Sequence, residues 1–135
     1  MAESGLREQV ILILEKAQRS LEASRNLLDA GDFDFASSRA YYAAFYALQA
    51  LLLTKGLTYS KHAGVISAFN EHFVRPELFA KVYSRHISRL FRQRHIGDYD
   101  FQMIITRDDG HKDYSLACEL VAAVREYLQK ENIIN

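Results

Sequence analysis

The densest chemistry in this chain of 135 residues lies in Arg94–Phe101, RHIGDYDF. A guanidinium, an imidazole, two carboxylates and a phenol fall within seven residues there. Arg94 brings a planar cation whose fork of donors matches phosphate. His95 is a candidate base, and Asp98 becomes one where burial raises its pKa. Gly97 is expected to end a helix and let the following residues turn into a cleft. Arg94, one turn earlier, is then expected to pair with Asp98, with Tyr99 against the central helix near Tyr42 or Tyr46. The trio reads first as a latch for the loop and second as a functional site. The segment has no metal-ligand spacing, glycine-rich phosphate loop or recognisable nucleophile–base pair, so neither metal nor cofactor is expected.

The helix that must carry this segment has a basic face. Lys81, Arg85, Arg89 and Arg92 recur at steps of four, four and three residues, flanked by Arg75 and Arg94. Such a stripe is an electrostatic footprint for phosphate. Its other reading, equally weighted, is a solvated face paired to the acidic side of the first helix. Pro76 is expected at the first position of this helix, where its missing N–H costs nothing.

The element all of this must pack on is Phe35–Leu53, FASSRAYYAAFYALQALLL. Ala36, Ala40, Ala43, Ala47 and Ala50 form a narrow face that lets another helix approach closely. Tyr41, Phe45, Leu48 and Leu52 form a bulky core face. Ser38, Arg39, Tyr42, Tyr46 and Gln49 share a third strip, about a quarter of the circumference wide. Buried polar groups need partners, so this strip is expected at a cleft or an interface.

The remaining elements follow from apolar periodicity. A first helix is expected over residues 5–30, with Ser4 as N-cap and Gly31 just past its end. Asp32 and Asp34 open the central helix and Gly56 closes it. Ser60 is expected to cap a third helix over 61–74 with His62 in its first turn. There a neutral imidazole exchanges a single hydrogen bond with a cleft, or simply caps the surface. Phe101–Ile105 is apolar enough to lie back on the bundle. Thr106 or Asp108 caps a fifth helix over 109–130, and 131–135 is expected to fray.

The totals bound the class. One domain spanning 1–135 is expected, large enough to stand without disulfides. Lone Cys118 lies on a core stripe and points to a reducing, cytoplasmic setting. Seventeen basic and seventeen acidic side chains balance, which argues against a uniformly basic nucleic-acid coat. No signal peptide or membrane-spanning run is seen.

SRAYYAAFYALQALLLTKGL, then KHAGVISAF, then RHIGDYDF before a last helix, resembles the HEPN family (higher eukaryotes and prokaryotes nucleotide-binding). The likeness is to its short stand-alone prokaryotic branch with an Arg-x-x-x-Asp-Tyr motif. The resemblance implies an all-α, up-and-down bundle of four to five helices, usually homodimeric. It implies a toxin-like partner of a minimal nucleotidyltransferase, acting on RNA as a metal-independent endoribonuclease. The alternative is a non-catalytic nucleotide- or RNA-binding subunit or scaffold. Active members carry an arginine followed, after four to six residues, by a histidine; Arg89 and His95 meet that spacing, whereas aligning Tyr99 with the family tyrosine puts Gly97 at the histidine position. In-line attack of a 2′-hydroxyl on phosphate needs a base and a cation on the developing charge. Arg94, His95, Asp98 and Tyr99 are the catalytic candidates; Arg39, Tyr42, Tyr46, His62, Arg85, Arg89 and Arg92 are the nucleotide or RNA contacts. Without a base, the same groups still make a phosphate-and-stacking pocket.

Overall fold

The computed structural model describes residues 2–135, with side chains from residue 5 onward. Five α-helices make the fold, and there is no strand among the described residues. They are α1 (Ala2–Ala30), α2 (Phe33–Leu53), α3 (His62–Phe69), α4 (Lys81–Tyr99) and α5 (Arg107–Lys130). No described helix is long and apolar enough to cross a membrane.

Helix α2 is the hub, touching α1, α3, α4 and α5. Its alanine face is completely buried, as are Tyr41, Leu48 and Leu51. Small side chains bring α1 close enough for hydroxyl-to-carbonyl bonds. Ser20 donates to the Arg39 carbonyl at 2.7 Å and Ser24 to the Ala36 carbonyl at 2.8 Å. Gly31 and Gly56 end α1 and α2 with φ of 83° and 69°, the left-handed conformation that glycine adopts at low cost.

Several boundaries differ from the sequence reading. Helix α1 begins at Ala2, upstream of Ser4, whose side chain lies outside the described residues. The cap position of α3 is Lys61, not Ser60, and α3 gives way to a π-turn over Asn70–Val74. Pro76 does not start α4; it sits in a turn before Glu77, whose φ is 66°. The Leu78 and Phe79 amides both donate to the Phe73 carbonyl, closing that turn, and α4 starts only at Lys81.

Gly97 does not break α4. An added Cβ there would sit 3.0 Å from the Asp34 carbonyl oxygen, so glycine lets α4 cross close to the start of α2. Asp100 ends the helix instead: its carboxylate accepts from the Gln102 and Met103 amides at 3.0 and 3.1 Å. Short polar side chains compete with helical bonding in this way. Phe101–Ile105 does not lie back on the bundle. Phe101 is 95% and Ile104 82% exposed, and only Ile105 is buried. The tail is tied rather than frayed, since Ile134 enters the core and Asn135 bonds to Arg7 and Gln129. Thr106 caps α5 by accepting from the Asp109 amide, as expected.

Candidate functional site

Arg94 projects from α4 into a ring of aromatic side chains supplied by α2 and α4. Its guanidinium carbon lies 5.3 Å from the Tyr41 ring centre, 5.6 Å from Phe91, and 5.9 Å from both Tyr42 and Tyr99. Ring faces attract a cation without consuming its N–H donors. Direct polar contacts are long. The guanidinium donates to the Tyr42 hydroxyl at 3.4 Å and pairs with Asp98 at 3.7 Å. Its Nε is buried with no partner. Arg94 is thus a nearly buried cation, 12% exposed, with much of its hydrogen-bonding capacity unused.

His62, in the first turn of α3, completes the group. Its ring stacks on Phe45 at 4.3 Å, and its Nδ1 lies 2.6 Å from the Tyr41 hydroxyl. Tyr41 is fully buried, and burial raises its pKa far above that of a free phenol. A buried O–H left without an acceptor is costly, and His62 Nδ1 is the one partner described for it, so donation by Tyr41 is the favoured arrangement. Nδ1 therefore accepts, and the ring proton sits on Nε2 at the opposite edge. Burial first, and then the Arg94 charge, lowers the His62 pKa. The imidazole is held neutral, in one tautomer, beside a cation.

The other candidates separate. Arg39 stacks over Tyr42 at 4.6 Å and Lys16 over Tyr46 at 4.9 Å, so the polar strip of α2 continues the Arg94 group. His95 and Tyr99 pack together at 5.1 Å on the exposed end of α4, and Tyr99 forms no aromatic pair with Tyr42 or Tyr46 among the described residues. The basic stripe is divided. Arg89 turns to α5, where it donates to Asp113 at 2.8 Å and Asp109 at 3.2 Å; Arg85 and Arg92 remain exposed. The acidic partner is thus α5 rather than α1. Arg89 and His95 project about 120° apart around α4 and do not meet.

Two participants escaped the sequence reading. Tyr41 looks like core because it sits on the bulky face, and nothing in spacing reveals the histidine beneath it. Asp113 is fully buried and accepts from Ser37, Arg89 and Gln93, tying α2, α4 and α5 beneath the site. Its signal was available: a carboxylate four residues before Ala117, on the apolar stripe of α5.

The HEPN domain model matches residues 11–127, and the chain belongs to that family. It is 34% identical over 122 residues to "Putative toxin MJ0142" of Methanocaldococcus jannaschii, covering 90% of this chain and 83% of that protein. It is 37% identical over 99 residues to a UPF0332 protein of Thermotoga maritima, covering 73% and 74%. In fold it is similar to TT1696 from Thermus thermophilus, with a TM-score of 0.76 at 22% identity, over 89% of this chain and 98% of that one.

Proposed function

We propose that this HEPN protein is the toxin-like component of a two-gene system, acts on RNA as a metal-independent endoribonuclease, and is neutralised by a minimal nucleotidyltransferase. The observation that carries this reading is Arg94, a preorganised cation with unused donors beside a neutral imidazole. A phosphate entering there meets the guanidinium, and the His62 Nε2–H is a further donor for the charge that develops on its oxygens. The tyrosines offer faces for bases to stack on. Toxin-named relatives support the same reading.

The working unit in this proposal is a homodimer. Phe101, Met103 and Ile104 form an exposed apolar ledge directly after Tyr99, and a second copy covering it would close the site. A second reading, RNA binding without cleavage, is favoured by one observation. Arg89 is committed to Asp109 and Asp113, so the family's arginine–histidine signature is not assembled within the protomer.

Inducible expression tests the proposal. Growth arrest by the parent, relieved by Arg94→Ala at equal soluble yield and by co-expression of a neighbouring nucleotidyltransferase, is the expected result. Arrest that persists in soluble Arg94→Ala would refute the site assignment.

A further inference from the structure

We propose that a recess where the connector 70–80 meets α4 is a second site, one that binds a phosphate group; on the RNA reading above, that group is a backbone phosphate. The recess has a volume of about 320 Å³ and is lined by Asn70, Val74, Arg75, Lys81, Ser84 and Arg85. Three of these six are cations and none is an acid. Among the described residues, none of the three forms an ion pair, whereas Arg25, Arg89, Arg94 and Lys130 all do. Glu71 and Glu77 lie on the same connector, and neither comes within ion-pair distance of these cations. Three neighbouring like charges without a counterion repel one another, and an anion among them removes that cost.

The other polar groups there suit the same ligand. Lys81 is the first residue of α4, so backbone N–H groups of the opening turn, apart from that of Tyr83, lack intrahelical partners. Ser84 adds a hydroxyl donor. The Asn70 side-chain oxygen is buried without a partner, and rotating that amide presents its NH2 instead. The connector also carries both irregular features of this part of the chain, the π-turn and the left-handed Glu77. Such irregularities concentrate at functional sites.

No aromatic residue lines the recess, so it is suited to phosphate and not to a base. Arg85 and Arg94 are separated by about 14 Å along α4 and by about half a turn around it. The recess is therefore separate from the Arg94 group, and a contact there would fix the position of a strand without reading its sequence.

Fluorescence anisotropy with a labelled single-stranded RNA, titrated with salt, tests the site in the full chain. Lys81→Gln/Arg85→Gln alters exposed side chains only, and Lys112→Gln, exposed and outside the lining, is the control. The double variant is expected to bind about tenfold more weakly at low salt. Its slope of log affinity against log salt should be shallower by about 1.4, two charges at about 0.7 each for a single strand. Unchanged affinity and slope would overturn the proposal. Should the parent bind no RNA, inorganic tripolyphosphate in a thermal-shift assay decides between sources. A rise in Tm for the parent but not for the double variant supports the phosphate site while the RNA reading fails. No rise in the parent overturns the site as well.

Discussion

The Tyr41 hydroxyl lies 2.6 Å from His62 Nδ1, a hydrogen bond that joins the most buried phenol of α2 to the first turn of α3. With Tyr41 donating, the neutral His62 carries its proton on Nε2. The tautomer is directly measurable: long-range 15N–1H correlation near neutral pH should show a protonated Nε2 and a pyridine-like Nδ1. A protonated Nδ1 would refute the assignment.

The same pair sets a pH dependence. Folding lowers the His62 pKa, so the unfolded chain binds more protons between the two values. The stability contribution is present above the ordinary value near pH 6.5 and is lost as pH falls through the folded value. Denaturant midpoints measured downward from pH 7 should fall, and the fall should be smaller in His62→Gln. An identical fall in that variant would remove His62 as its source.

Asp113 is predicted to be structural. Asp113→Ala leaves Arg89 half-buried without its main partner and strips acceptors from Ser37 and Gln93. Removing one member of a buried pair costs about 3–5 kcal/mol. Chemical denaturation measures this, and a loss below about 1 kcal/mol would show that the network is not a brace. Arg89→Ala should likewise lose stability, which separates Arg89 from the exposed Arg85 of the same stripe.

Gly97→Ala distinguishes two accounts of one glycine. Helix propensity alone would stabilise α4 by about 1 kcal/mol. The 3.0 Å approach to the Asp34 carbonyl predicts the opposite sign, since overpacking costs about 1–3 kcal/mol. A lowered Tm is expected; a raised one would mean that α2 and α4 are not held so closely.

Much of the bundle was legible because it rests on periodicity. The alanine face of α2, its burial and the glycine ends of α1 and α2 follow from local rules that tertiary packing did not overturn. Gly97 was misread because glycine serves both chain reversal and close approach, and only the neighbour at Asp34 decides which. Pro76 was misread because a turn that accepts proline looks, in sequence, like a helix start. The site was half legible. Arg94, Asp98, Tyr42, Arg39 and His62 come together, but Tyr41 hid among core residues. The Arg89–His95 spacing, which satisfies a pattern along the chain, points in two directions around the helix.

Arg94 and His62 are proposed to act together on RNA. The direct test is cleavage of a labelled single-stranded RNA by the purified protein in excess EDTA, comparing the parent with Arg94→Gln, His62→Gln and His95→Gln. The parent should cut. His62→Gln should lose about 10²-fold or more, the usual worth of one preorganised donor to developing charge, with Arg94→Gln at least as impaired and His95→Gln much less affected. Binding without cutting by the parent would move the protein to the non-catalytic reading. Cleavage untouched in both Arg94→Gln and His62→Gln would contradict the account.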